Sequence, residues 1–249
     1  MSEESAAPLH IKTAIHEKFY LWARDFVQDK IVLDVGCGAG RGTAILAESA
    51  LNVTGIDIDS EAIGLALRTK KLNNLSYEVM NCSVLSLASQ SVDVVICNAL
   101  LEYLADPVAF FDEARRVLKD DGRIVCGTKN LVRSLKNKDG GPLYRNHIQE
   151  YTAESLTEIM SKDFKNFDVY GETMRPKAEV HIMDSRALGI ERFLVALNIK
   201  QIFPVALRRK IRRLITGVDL ANIGPCDFDI SSYSTDDALY IICVGDVRQ

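Results

Sequence analysis

Short apolar runs rich in Val and Ile alternate along this chain with stretches whose apolar residues recur every three to four positions. The runs at 31–35, 53–57, 75–80, 92–98 and 122–127 are mostly apolar, bounded by polar residues or glycine and too short for helices, which predicts strands of a buried sheet. Ahead of them, Ile11, Ile15, Phe19, Trp22 and Phe26 fall on one face of a helix over 10–28. Each strand is followed by a helical segment or a loop, and that alternation predicts an α/β fold with a parallel sheet and helices on both faces. The regularity stops after Asn130, where 131–146, with Gly140, Gly141 and Pro142, reads as a loop. A helix over 152–161 follows, opened by Thr152 with Glu154 and Ser155, and further strands read at 164–171 and 238–244. Between these two lies an insertion, 172–232, with helical stretches at 186–200 and 205–215 and no internal repeat.

Composition narrows the picture modestly. The 249 residues suit one α/β domain, and a hydrophobic content of 47% is ample for a two-sided sheet. A net charge of −4 gives no global attraction to a nucleic-acid backbone. No apolar stretch is long enough to span a membrane, and the acidic N-terminus lacks the blocks of a signal peptide. Six cysteines without a C-x-x-C pair, three of them in apolar strand runs, fit a reduced cytoplasmic protein and argue against zinc.

The chemistry concentrates at 31–42, IVLDVGCGAGRG, where a predicted strand runs into glycines at 36, 38, 40 and 42 ahead of a helical segment beginning at Thr43. Open α/β sheets bind ligands at such a strand end, because absent side chains let a ligand approach the backbone. A dinucleotide fingerprint would place its third glycine at Arg41 or Thr43, and neither is glycine. Asp57 closes the next apolar run, VTGIDID, where a carboxylate can accept both hydroxyls of a ribose. Helix N-capping is the plainer role for an acid there, but Asp59 or Ser60 fills it better.

With LDV before it, the G-x-G-x-G loop resembles the first motif of the class I S-adenosylmethionine-dependent methyltransferases, of the methyltransferase type 11 kind. The run 91–130, from SVDVV to CGTKN, resembles that family's fourth strand, helix and fifth strand almost position by position. The resemblance covers roughly 10–170. It implies a seven-stranded, mostly parallel Rossmann-like sheet whose last strand enters antiparallel, as a hairpin with the sixth. It implies S-adenosyl-L-methionine as cofactor and S-adenosyl-L-homocysteine as product. Carried over residue by residue, the cofactor would lie against Asp34, Gly36, Cys37, Gly38 and Gly40, then Asp57 and Ile58, with Asn98 at the end of the fourth strand. Asn81 departs from the aspartate usual beside the adenine, although its amide oxygen can still accept, with the amide of Cys82 or Ser83 serving the ring nitrogen.

Tyr20 and Tyr103 are candidates for cation–π contact with the sulfonium, core packing being the alternative for Tyr20. His147, in HIQEYTAESL, resembles a family segment after the fifth strand and is the candidate general base for a hydroxyl acceptor; ordering the loop with Glu150 is the alternative. His181 is a second candidate. A metal is not expected, since Tyr103 follows Glu102 where some relatives place a ligand histidine. RRKIRR at 208–213 makes 203–216 a candidate for peripheral contact with the inner membrane face, a solvated helix face being the plainer reading.

The reading is therefore one methyltransferase domain: an N-terminal helical cap at 1–29, a cofactor-binding core at 30–171, a substrate-cover insertion at 172–232 and the last strand at 233–249. The expected reaction is O-methylation of a sugar, lipid-linked glycan or secondary metabolite, without a nucleic-acid partner. The alternatives are N-methylation of a small amine, a nicotinamide-dependent oxidoreductase, or a non-catalytic cofactor-binding subunit.

Overall fold

Strand β1 (Ile31–Val35) is the first of five short apolar runs that find a partner on each side or at an edge. The others are β2 (Asn52–Asp57), β3 (Leu75–Val79), β4 (Val92–Asn98) and β5 (Leu118–Lys129). All pairings among them are parallel. The computed structural model describes residues 9–68, 72–133, 146–174, 224–232, 235 and 238–248. It adds β6 (Phe164–Met174), β7 (Phe228–Ser231) and β8 (Tyr240–Val247), in the sheet order β3-β2-β1-β4-β5-β8-β6-β7. Strand β8 runs antiparallel between β5 and β6, as expected for the last strand. The sheet has eight strands rather than seven, because β7 lies inside the stretch expected as an insertion; its four residues are too few to show a period.

Helix α1 (Leu9–Ala23) precedes the sheet, and α2 (Arg41–Leu46), α3 (Ser60–Ala66), α4 (Pro107–Val117) and α5 (Ala153–Met160) follow β1, β2, β4 and β5. Sequence chemistry sets their starts. Asp59 accepts from the amides of Glu61 and Ala62 to cap α3, Asp106 accepts from Ala109 ahead of Pro107 in α4, and Thr152 caps α5. Two apolar layers sandwich the strands. Phe110, Phe111, Ala114, Leu156 and Met160 of α4 and α5 pack with Leu33, Val95, Cys97 and Cys126. Phe19, Tyr20 and Ala23 of α1, with Leu46 of α2, pack with Val32, Val94, Ile96 and Val125. Successive strand residues thus serve opposite faces, which is why the central strands β1 and β4 are apolar at nearly every position while the edge strand β3 (LSYEV) alternates.

The chain divides into two compact units, one of 1–4, 16–173 and 230–249, the other of 5–15 and 174–229. The second lies almost wholly outside the described residues, as do the helical stretches expected at 186–200 and 205–215. The connection order reverses between β1 and β4, adjacent strands whose onward chains leave in opposite directions. The carboxyl ends of β1 and β4 therefore flank the crevice where open α/β sheets take ligands.

Candidate active site

The loop after β1 holds three left-handed glycines, Gly36 (φ 75°), Gly38 (φ 52°) and Gly40 (φ 76°). The amides of Gly36 and Cys37 both donate to the Ile56 carbonyl of β2, at 2.8 and 3.0 Å, so the loop is sewn to the neighbouring strand. A Cβ on Gly40 would lie 2.5 Å from the ring of Tyr77, whose hydroxyl donates to the Gly40 carbonyl at 2.8 Å. A Cβ on Gly38 would meet no atom within 4 Å. The space over Gly38 is open to a ligand, while its neighbours are fixed from beneath.

Asp57, at the end of β2, faces that loop. Its carboxylate accepts from the Gly38 amide at 2.9 Å through Oδ2 and from the Asp59 amide at 2.9 Å through Oδ1. Each carboxylate oxygen has further lone pairs, so both can also accept from a pair of neighbouring hydroxyls. Ile58, 72% exposed, offers an apolar surface directly beside it. After β3, Asn81 is exposed and its side-chain oxygen accepts from the Ser83 amide at 2.9 Å. That turn engages the Ser83 amide, leaving the amide of Cys82 the better placed of the two expected donors.

Asp34 is fully buried in β1 and accepts from the hydroxyls of Thr43 (2.6 Å) and Tyr20 (3.1 Å). Burial pushes its carboxyl up to about 6, against the pull of those two hydrogen bonds, and the Asp57 charge adds to the rise. Tyr20 is itself buried and its hydroxyl is pushed up by burial and by Asp34. Its ring covers Gly42, where a Cβ would lie 2.2 Å away. Tyr20 therefore props the loop from α1, and Thr43 and Tyr77 complete the support. Sequence reasoning missed Thr43 and Tyr77, whose only signal is the tyrosine's place on the strand beside Gly55. Cys37 is buried, and its thiol is pushed up by desolvation and then by Asp34.

The far side of the crevice is built after β4. Asn98 is buried against Gly127, where a Cβ would lie 2.6 Å from its Oδ1. Ala99 takes a left-handed backbone (φ 54°) that turns the chain, and Leu100 then packs on Gly36. Glu102, buried, accepts from the Thr128 hydroxyl at 2.8 Å; burial raises its carboxyl, while Thr128 and the nearby His147 pull it down. The carbonyl of Glu102 accepts from the Ile148 amide at 2.8 Å, which docks the segment carrying His147 on this turn. His147 Nδ1 lies 2.9 Å from Glu150 Oε1, with side-chain exposures of 5% and 1%. The imidazole also meets the half-exposed Tyr103 edge to face, centroids 5.1 Å apart. Glu150 Oε2 is buried without a partner. Glu102, Tyr103, His147 and Glu150 thus form one cluster, whereas His181 and 203–216 lie outside the described residues.

The methyltransferase-domain family matches residues 33–126, from the middle of β1 into β5. This segment is a class I S-adenosylmethionine-dependent methyltransferase domain. A probable S-adenosylmethionine-dependent methyltransferase of Mycolicibacterium smegmatis is 31% identical over 145 residues, 58% of this chain and 55% of the relative. A ubiquinone biosynthesis O-methyltransferase of Coxiella burnetii is 30% identical over 125 residues, 49% of this chain and 53% of the relative. The chain thus spans about half the length of the curated relatives it matches. A methyltransferase structure from Thermotoga maritima, described as a possible histamine N-methyltransferase, superposes with a TM-score of 0.60 at 18% identity, covering 93% of this chain and 90% of that one. At that identity the likeness concerns the fold. No helix among the described residues is long and apolar enough to cross a membrane.

Proposed function

We propose that this methyltransferase transfers a methyl group from S-adenosylmethionine to a hydroxyl oxygen of a small molecule, such as a sugar, a lipid-linked glycan or a secondary metabolite. The open face of Gly38 beside the Asp57 carboxylate fits an adenosyl group, with Asp57 accepting its ribose hydroxyls and Ile58 against its base. Bound there, the sulfonium supplies an electrophilic methyl group and leaves as a neutral thioether.

The observation that carries an oxygen acceptor is the buried His147–Glu150 pair. An alcohol does not ionise near neutral pH, so its attack needs a proton acceptor. Glu150 takes Nδ1–H, which puts the basic lone pair of the ring on Nε2. His147 would take the hydroxyl proton as the acceptor oxygen receives the methyl group. The chain's main task is alignment and exclusion of water, in which the rigid glycine loop and the 98–103 turn hold the two reactants.

The name of the Coxiella burnetii relative supports oxygen chemistry, and methylation of a small amine is the competing reading. A turnover screen with methyl-labelled cofactor against pooled hydroxylated and amine acceptors, read by mass, decides between them. Hydroxyl acceptors should be methylated, and His147→Asn should lower kcat by about 10²–10⁴ with little change in KM. Turnover confined to amines, or a His147→Asn enzyme as fast as wild type, would overturn the assignment.

A further inference from the structure

One buried acid plays no part in this chemistry. Glu172, near the end of β6, is 1% exposed, and its Oε1 has no hydrogen-bond partner. It pairs in register with Tyr240 of β8, on the face covered by α1. Tyr240 in turn meets His16 of α1, at 3.5 Å from hydroxyl to Nε2 and with the rings edge to face. Two residues before Glu172, Tyr170 packs edge to face on Trp22 of α1, centroids 4.9 Å apart. The acid is thus bracketed by the two aromatic contacts that seat α1 on this end of the sheet. Between His16 and Trp22 on the same helix lies Tyr20, which holds Asp34 and covers Gly42 of the glycine loop.

We propose that Glu172 is a proton-operated latch for α1: the neutral carboxyl lets the helix sit on the sheet and brace the glycine loop, and ionisation lifts it. Burial holds this carboxyl neutral far above the usual carboxylate range, and only the charge of Lys18 on α1 opposes that. The other groups on this face are His16 on α1, Tyr240 on β8, Lys129 on β5 in register with Tyr240, and Tyr170 on β6 itself, while β7 contributes the apolar Ile230. None of these supplies a charge-stabilising hydrogen bond to Oε1. An ionised Glu172 must therefore be reached by water, which requires the helix to rise. Because the folded pKa is raised, the seated state is favoured at low pH and loses up to about tenfold in population per pH unit as ionisation proceeds. Releasing α1 withdraws Tyr20 from Asp34 and Gly42, so cofactor affinity falls with it. That last link rests on the cofactor reading above; the latch itself does not.

The chain's single tryptophan, Trp22, reports the seating directly. Its emission and the calorimetric affinity for S-adenosylhomocysteine are followed upward from about pH 7, above the range in which Asp34 titrates, to the onset of alkaline unfolding. Wild type should show a red shift and a parallel weakening of affinity, and the isosteric Glu172→Gln should show neither. Lys18→Gln, which removes the charge favouring ionisation, should move the onset to higher pH; a purely structural carboxyl would not respond so. A wild-type protein without the transition, or a Glu172→Gln variant that keeps it, overturns the latch. A Trp22 transition at constant affinity overturns the link to the loop. Absence of S-adenosylhomocysteine binding at every pH overturns the cofactor reading and leaves Trp22 emission to decide the latch.

Discussion

Replacing Gly42 by alanine tests the brace beneath the glycine loop, and a second glycine supplies its own control. Both Gly42 and Gly64 lie within helices, α2 and α3, without a positive φ. A new Cβ at Gly64 would meet nothing within 4 Å, so only helix propensity acts and Gly64→Ala should stabilise by about 0.5–1 kcal/mol. At Gly42 the same methyl group would lie 2.2 Å from the Tyr20 ring, which is buried and hydrogen-bonded to Asp34. Overpacking there costs about 1–3 kcal/mol, and displacing the hydroxyl from the Asp34 carboxyl about 1.5–3 kcal/mol more. Set against the same propensity gain, Gly42→Ala should destabilise by roughly 1.5–5.5 kcal/mol. Urea unfolding at constant m-value reads both effects as shifts of the midpoint. In a Tyr20→Ala background the cost of Gly42→Ala should vanish, because the atom it strikes is gone. If Gly42→Ala is as stable as wild type, or costs the same without the Tyr20 ring, the brace does not exist.

Three other substitutions follow from the same geometry. Gly38→Ala forces a side chain into a left-handed backbone at a stability cost of about 1–2 kcal/mol, yet its Cβ enters the open face of the loop, so S-adenosylhomocysteine affinity by calorimetry should fall at least about tenfold. Thr128→Val keeps shape but strips Glu102 of its buried partner, and urea unfolding should register about 1–3 kcal/mol lost. The Asp34 carboxyl, raised to about 6 when folded, favours the protonated folded state, so its contribution is full below about pH 4 and is lost as pH climbs through 6. That contribution is roughly 3 kcal/mol, and Asp34→Asn should make the fall of stability between those pH values shallower; an unchanged slope would assign it to other carboxyls.

Much of this architecture can be read from residue order alone, and the exceptions have physical causes. Strands β1 and β4 match their predicted bounds because each is apolar at all but one position up to a polar or glycine stop. Strand β5 begins four residues earlier than expected, since Leu118 pairs with Val92 before an irregular polar stretch, and the ladder resumes at Arg123. Strand β8 ends three residues late because Gly245, Asp246 and Val247 pair across to β5 and β6 despite the polar break. At the site, the glycine loop after β1 and the place of Asp57 at the end of β2 were legible, because glycine spacing and strand ends are local properties. Tyr77 under Gly40 and the orphaned Glu172 were not, since they depend on which strands lie side by side, and Thr43 on Asp34 was not, since it depends on how α2 docks on β1. Tyr20 was singled out for contact with the cofactor, and its hydroxyl is spent on Asp34, a contact set by how α1 docks rather than by its own periodicity.

A crystal structure of the protein with S-adenosylhomocysteine tests the central claim most directly. The account predicts the two ribose hydroxyls on the Asp57 carboxylate, with the rest of the molecule passing over Gly38. A nucleoside bound away from Asp57, or a pyridine nucleotide displacing it from this crevice, would contradict it.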